Sequence, residues 1–550
     1  MPEACSKPAT PIHELQGAGS RSPKEGERHT VDAVVTARFP GREGLAGFFL
    51  QEEPSDADGD PRSSEGIFVF EGGTPIQASV GDRLRISGTV VEFASGESVL
   101  TELVEPRDAT VCGRGASIPA HAAQLSPSNP MDWESLEGMR VNLEGVVTQT
   151  REYARFGSVG LAHERLAEPT QVVPPGDAAR LRREQDERAR IVLDDASTQG
   201  LPELTHRLRS GDRIRLISAI VDERFGDYRI QPTVPLDVTE SARSETPPAL
   251  EGKLRIAGFN VLNWFHTLDT GEPRCGPARN QGCRGATNEA ERSQQLRKLG
   301  AVLRGLRADV IGLAEIENAS PEALEALRAE LGPNYRAIET GPLGSDVIRV
   351  ALLYRAERLT LAGDFAVLDN SVDPEFNDRR NRPVLLQAFE TLESGERFAV
   401  AVNHWKSKGS VCEGDPDAHD GQGRCNGTRS AAARAILRWL ADDPTGSGDP
   451  DVLILGDLNS YRLEDPIRTL VSAGYDDLLA RFVGPDAYTA TFEGRFGALD
   501  HALASASLAS QVAGAVVWHI NADEPRDLAA EENSVFGSSD HDPVLVGLDL

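Results

Sequence analysis

The chain opens as short apolar runs separated by polar turns. Four of them, TVDAVVTARF from Thr30, GLAGFFLQEE from Gly44, GIFVFEGG from Gly66 and VGDRLRISGTVVEF from Val80, are rich in β-branched and aromatic residues and bounded by Gly and Asp, so they predict strands. A second pass of the same pattern follows. RVNLEGVVTQT from Arg140 echoes the first run, ARIVLDDAS from Ala189 the third, and SGDRIRLISAIVDERF from Ser210 the fourth. The echo predicts an internal duplication of a small β domain. The charged stretch DAARLRREQDERAR reads as an exposed helix inserted in the second copy. Short strands with a Gly-Asp turn before a central one suggest OB-like barrels.

Beyond the polar, Pro-containing segment TESARSETPPALEG from Thr239, which reads as a linker, the period changes. LRIAGF, DVIGLA, IRVALLY, RFAVAV and DVLILG now alternate with helical stretches. One helix is expected over about Glu289–Arg307, with Leu296, Leu299, Leu303 and Leu306 along one stripe. Another is expected after Ser320, a capping residue, with Pro321 in its first turn. At 550 residues the chain is too long for a single core. The expected domains are residues 1–118 and 119–245, both OB-like, and 246–550.

Composition narrows the setting. No stretch approaches the length of a membrane span, and the first ten residues lack the apolar core of a signal peptide. The cysteines are Cys5, Cys112, Cys275, Cys283, Cys412 and Cys425. None is spaced as a zinc or thioredoxin-type motif. Six allow fifteen pairings, and closeness in sequence favours Cys275–Cys283 and Cys412–Cys425, leaving Cys5–Cys112. An even count in polar loops predicts an oxidising, secreted setting rather than free cytosolic thiols. The formal net charge of −29 is not what general nucleic-acid binding predicts. DADGD from Asp56 has part of a calcium loop, but its Gly is misplaced and no Glu follows at the needed spacing, so it reads as a solvated loop.

The chemistry stands where the later apolar runs end. LRIAGF ends in Asn260, DVIGLA in Glu315, RFAVAV in Asn403 and His404, and DVLILG in Asp457 and Asn459. Asp500-His501 and Asp540-His541 follow near the carboxyl terminus. One Asp after a strand is usually a turn or cap residue. Six such endings in one domain point to a rim of functional groups carried on rigid strands. Carboxylates and amide oxygens are hard ligands suited to Mg²⁺, with Mn²⁺ or Ca²⁺ as alternatives. With no nucleophile elbow and no Walker loop in the sequence, metal-assisted attack of water on phosphorus is the expected reaction.

FNVLNWF, AEIEN, VNHWKSKGS, GDLNSY, LDHALAS and SDHDPV together resemble the endonuclease/exonuclease/phosphatase superfamily, whose members include the pancreatic-type deoxyribonuclease. The likeness spans about Lys253 to Leu550 and is nearest to bacterial extracellular nucleases with OB-like domains in front. It implies an α+β fold: a four-layer α/β sandwich of two packed sheets flanked by helices, preceded by two small β domains. It also implies roles. Glu315, Asn260 and Asp540 would bind metal, and Asn260 and Arg382 the substrate phosphate; Lys406 and Lys408, two of the few lysines in the chain, flank Ser407 just after His404 and by that position suggest further phosphate contact. Asp457, fixed by Asn459, would orient or deprotonate the water. His541, oriented by Asp500, would stabilise the phosphoryl oxygen, and His404 would be a second catalytic histidine with Asp346 as its partner. His501 reads better as a packed neighbour than as a catalyst.

The implied function is a secreted, metal-dependent deoxyribonuclease, with RNA as a further substrate and a monomer as the expected state. A phosphodiesterase for a lipid or small diester, and a non-catalytic nucleic-acid-binding protein, are the alternatives.

Overall fold

A computed structural model of the chain describes residues 2–41, 43–73, 75–96, 98–197, 207–525 and 534–550. It divides into two compact units. One comprises Met1–Leu166 with Glu184–Ser241, the other Ala167–Arg183 with Ala242–Leu550.

The first unit contains two strand systems of the same order. Strands Arg28–Phe39, Gly47–Gln51, Gly66–Phe70, Arg83–Ser95 and Ser98–Gly113 close a barrel in which the fifth lies between the third and the fourth. Strands Arg140–Gln149, Val159–Ala162, Arg190–Leu193, Arg213–Arg224 and Asp227–Pro232 repeat that order, including the return pairing of the fourth with the first. In both, the third and fifth strands run parallel. The Gly-Asp turns correspond as well. Gly81 and Gly211 adopt φ of 88° and 94°, a region open chiefly to glycine. The carboxylates of Asp82 and Asp212 accept from Ser79 N and Arg209 N, each at 2.9 Å. The predicted echoes are therefore equivalent strands, and the charged insertion is a helix, Asp177–Arg188. A disulfide joins Cys5 to Cys112 within this unit.

The second unit is built on two mixed sheets. In one, Tyr335–Ala337, Ile348–Arg355, Val310–Glu317, Leu254–Trp264, Val544–Leu548 and Val512–Val517 are neighbours in that order. In the other the order is Leu359–Leu361, Val384–Thr391, Arg397–His404, Val452–Asp457, Asp500–Ala504 and Asp476–Asp477. Alternate side chains point to opposite faces of a strand, and the burial follows that rule. Ile256, Val310, Val350 and Leu352 share one core with Leu385, Val400, Val402, Leu453 and Leu455 of the other sheet. Ala257, Phe259, Ile311 and Leu313 face the opposite way, onto Leu299, Leu303, Leu324 and Leu327 of the helices Glu289–Leu306 and Pro321–Leu331. Ala399, Ala401 and Ile454 meet Ala432, Ile436 and Ile467 of the helices Asn426–Ala441 and Asp465–Ser472.

Asn288 caps the first helix by accepting from Glu291 N. Ser320 precedes the second, but its hydroxyl donates to the Glu322 carboxylate and makes no cap bond. Cys275–Cys283 and Cys412–Cys425 are both bonded, as sequence proximity suggested.

A short segment preceding most of this unit in sequence is part of its fabric. Gln171 is fully buried; its amide donates to the carbonyls of Pro485 and Ala487 at 3.0 and 3.1 Å and accepts from Ala498 N at 3.2 Å. Thr170 donates to buried Glu464 at 2.8 Å. Leaving buried backbone groups without partners costs about 1–3 kcal/mol each. Gln171→Ala should therefore destabilise the second unit by about 2–4 kcal/mol. Guanidinium denaturation measures this directly, and an unchanged midpoint would show that the segment is only apposed.

Candidate active site

Strand direction explains why the polar ends meet. In the first sheet Leu254–Trp264 and Val310–Glu317 are parallel, so their carboxyl ends, with Asn260 and Glu315, lie together. In the second sheet Arg397–His404 and Val452–Asp457 are parallel, with His404 in register with Asp457. The antiparallel neighbours begin where these end. Asp500 pairs with Asp457, and His541 lies three residues before the start of Val544–Leu548, which pairs with Leu254–Trp264.

The side chains then interlock. The Asn260 amide donates to Glu315 Oε1 at 3.3 Å and to Asp457 Oδ2 at 3.1 Å, joining the two sheets. Asn263 N donates to Glu315 Oε2 at 2.8 Å, and Asn459 N to Asp457 Oδ1 at 2.9 Å. His404 Nε2 lies 3.7 Å from Glu315 and 3.5 Å from Asp457. His541 Nδ1 donates to Asp500 Oδ2 at 2.6 Å, and its Nε2 is 3.9 Å from Asp540. Ladder pairing is interrupted on both sides of Glu315, between Asn260 and Trp264 and between Leu313 and Ile316. Leu262, Asn263 and Glu315 have φ of 53°, 49° and 67°. Such bulges and left-handed residues re-aim side chains and collect at functional sites.

Burial sets the electrostatics. It pushes the Asp457 carboxyl up to about 7, with His541 opposing and Asp500 assisting. Glu315 is raised by burial and by Asp540. Burial alone would strip the proton from His541, but Asp500 and Asp540 outweigh it and hold the ring charged well above the usual histidine range. His404 goes the other way: burial and then Arg382 keep it neutral.

Of the other expected residues, Arg382 lies in the cluster. Its guanidinium donates to His404 Nε2 at 3.3 Å and to Asp346 at 3.0 Å. Asp346 contacts Arg382 and Arg284 rather than His404, so Arg382 stands where a direct Asp–His pair was expected. The reason is local: Asp346 accepts from Val347 N at the turn into the next strand. Lys406 is half-buried among the charges of Arg382, Asp346, Arg284 and Arg380. Lys408 is different. Its ammonium is spent on buried Glu464 and on the Gln422 carbonyl, beneath the Tyr461 ring. Asn403 bonds inward to Trp405, and His501 donates to the Ser460 carbonyl, so neither joins the cluster.

Several contributors have no sequence signal as strong. Ser539 donates to the Asn260 carbonyl at 2.6 Å. Asp542 accepts three successive backbone N–H groups, from Ile520, Asn521 and Ala522, and Asn521 donates to the His541 carbonyl. Arg284, placed next to disulfide-bonded Cys283, reaches Asp346. Only the SSDHD run around His541 hinted at any of these.

Residues 278–541 match the Endonuclease/Exonuclease/phosphatase family. The second unit belongs to that family. Residues 99–242 match a domain of unknown function (DUF8508). Solved structures similar to the chain include a mannosyl-6-phosphatase of Bacteroides thetaiotaomicron VPI-5482, with 16% identity over 54% of this chain and 100% of that one and a TM-score of 0.38. The human Nocturnin catalytic domain shows 18% identity over 53% and 93%, TM-score 0.35. An AP endonuclease from Archaeoglobus fulgidus shows 14% identity over 54% and 100%, TM-score 0.34. Likeness at this level carries no argument about substrate. No curated protein sequence matches the chain.

Within this endonuclease/exonuclease/phosphatase unit, Glu315 and Asp540, whose charges bear on each other, offer hard oxygen donors of the kind that suits a divalent cation, and the Asn260 oxygen, which accepts from Leu262 N at 3.1 Å, has one lone pair left. Glu315 Oε1 carries only the long bond from Asn260 and so retains lone pairs for an ion.

Asp500→Asn should lower the pKa of His541, because the largest opposing influence on its burial is removed. The ring would then lose its proton at lower pH than in the wild type. Imidazole NMR titration reads this, and an unshifted titration would show that Asp500 does not hold the charge.

Proposed function

We propose that the protein is a secreted metal-dependent nuclease hydrolysing DNA phosphodiesters, with RNA as a second substrate. The observation that carries this is the joining of Asn260, Glu315, Asp457 and His404 beside the His541–Asp500 pair, with Arg284, Arg380, Arg382 and Lys406 close by. In a chain of net charge −29, this concentration of cations at one site favours an anionic substrate.

The chemistry follows from the bonds. Glu315, Asn260 and Asp540 would hold Mg²⁺, with Mn²⁺ or Ca²⁺ as alternatives. When bound, that ion polarises the phosphoryl oxygen. Asp457 is fixed on both oxygens, by Asn459 N and the Asn260 amide, and is the group to orient the attacking water and take its proton. His541 has Nδ1 spent on Asp500, which leaves the protonated Nε2 to donate to the oxygen that gains charge in the transition state. Neutral His404 and the Arg382 that donates to it would hold the phosphate.

The remaining features support the same reading. Three disulfides suit an oxidising compartment, and no helix among the described residues is long and apolar enough to cross a membrane. Strand order and closure in the first unit support two OB-like domains, over about 1–118 and 119–245, which favour nucleic acid over a lipid. Cores between and outside the two sheets support a four-layer sandwich over about 246–550. A monomer is the expected state.

Supercoiled plasmid incubated with the protein should be degraded in Mg²⁺ and spared in EDTA. Asp457→Ala and His541→Ala should each slow this by ~10²-fold or more. Intact plasmid alongside hydrolysis of a lipid or small diester would overturn the nuclease assignment. Inactivity on all of them would leave a binding protein.

The two lysines should separate in the same assay. Lys406→Met should raise KM without unfolding the protein. Lys408→Met should leave KM unchanged but lower stability by about 3–5 kcal/mol, because it strands buried Glu464. The reverse pattern would exchange their roles.

A further inference from the structure

Outside the catalytic unit, three carboxylates converge, and among the described residues the charges that bear on them most are those of other acids. Glu134 and Glu137 lie on the turn leading into strand Arg140–Gln149, and Glu223 lies near the end of strand Arg213–Arg224. Each offers an oxygen, and these oxygens all lie within 4.8 Å of one another. Two ligands on opposite sides of a Ca²⁺ ion, at about 2.4 Å each, stand about that far apart.

The decisive group is Glu137. It is 1% exposed. One oxygen, Oε1, accepts from the Gln16 amide at 3.1 Å and Thr101 N at 3.2 Å. The other, Oε2, is buried and has no hydrogen-bond partner. A buried oxygen left in this way implies an absent partner. Oε1 already has its two donors, and the oxygens of Glu134 and Glu223 beside this carboxylate offer acceptors only, so a cation is the partner that would serve all three.

Several other buried carboxylates of the unit are met by arginines. Asp222 is met by Arg224, Glu71 by Arg38 and Asp212 by Arg209. The groups bearing on the cluster are instead other acids: Glu134 and Glu223 on Glu137, Glu134 and Asp222 on Glu223, Asp132 and Glu92 on Glu134. Glu134 and Glu223 are half-buried, so an ion can arrive from solvent. Tyr228 donates to Glu134 Oε2 at 2.7 Å, and Ser98 and Val99 N steady Glu223.

We propose that Glu134, Glu137 and Glu223 form a structural binding site for a hard divalent cation, of which Ca²⁺ fits best, in the amino-terminal unit. Ca²⁺ tolerates irregular, water-completed carboxylate shells, whereas Mg²⁺ demands near-ideal octahedra. The ion ties the turn before the second strand system to that system's own fourth strand. Through Gln16 and Thr101 it also steadies elements of the first. This assignment is independent of the nuclease reading.

The test uses the full chain carrying Glu315→Gln and Asp457→Asn, which removes two of the catalytic carboxylates. Tb³⁺ is titrated in, and its luminescence is excited through Tyr228 and Trp133, which neighbour the cluster. A saturable emission displaced by Ca²⁺ is expected, with a Ca²⁺-dependent rise in the thermal midpoint. Glu223→Gln should weaken binding at least tenfold, and Glu137→Gln should abolish it. If Glu137→Gln fails to fold by circular dichroism, the half-buried Glu223→Gln decides. Emission unaltered by Glu223→Gln, or a thermal midpoint insensitive to Ca²⁺ and EDTA alike, would overturn the site and leave a cluster neutralised by protons.

Discussion

One amide holds the catalytic unit to its purpose. Asn260 reaches from the first sheet to its neighbour Glu315 and across to Asp457 of the second, with its two amide hydrogens divided between them. Two carboxylates buried this deeply repel each other and resist ionisation. A donor between them eases both problems and fixes their separation. Everything else at the site is arranged around that distance: His404 in register with Asp457, Asp500 across from Asp457 on the other side, and Ser539 fastening the Asn260 backbone.

Holding that geometry requires a departure from regular structure. Glu315 and the residues after Asn260 take left-handed backbone conformations where the two central strands bulge apart. A residue other than glycine adopts that conformation at an energetic disadvantage of about 1–3 kcal/mol, so it persists only where its surroundings enforce it. Here the enforcement is specific, since Asn263 N, carried by the same bulge, donates to the Glu315 carboxylate. Close approach of the two sheets adds to it. A side chain at Gly258 would meet Leu455, and one at Gly312 would meet Val402. The glycines let the sheets come near enough for Asn260 to span them.

The rim was legible because buried strands are nearly pure in apolar residues, so a polar residue at each end stands out. Asn260, Glu315, His404 and Asp457 all announced themselves in this way, and Asp500 and His541 did so through their paired Asp-His dipeptides. What stayed hidden depends on partners distant in sequence. Asp542 takes its backbone donors about twenty residues upstream, which no local pattern encodes. Lys408 looked like Lys406 because both flank Ser407, yet one turn of chain sends its ammonium inward to Glu464. The fifth strand of each β repeat was also hidden. Ser98–Gly113 contains Pro106 and a run of charges, and Asp227–Pro232 is mostly polar. Strands of that composition are recognised only once their neighbours pair with them.

The same dependence on distant partners explains the loop after His404. Its Lys406 carbonyl is held by Nη1 of Arg429, a fully buried arginine; the same nitrogen reaches the Arg424 carbonyl, and the others reach Ser460 and the Gln422 carbonyl. Gln422 O also receives Lys408, Lys408 binds Glu464, and Glu464 receives Thr170 from the segment 167–183. Cys412–Cys425 closes the span between Lys408 and the helix that carries Arg429. Two of these cations are buried, so each must be matched where it lies, and that matching leaves the loop little freedom. Lys406 then sits near Arg382 and Arg284 on a backbone held at both its N–H and its carbonyl, by Asn381 and Arg429. Burial and then the repulsion of Arg382 depress the Lys406 pKa, with Asp346 offsetting part of the effect, and a bound phosphate would offset more of it. A site built this way needs no net positive charge on the protein. Arg284, Arg380, Arg382 and Lys406 act on a phosphate at contact, while acidic groups elsewhere on the surface are screened over the ~8 Å Debye length of physiological ionic strength.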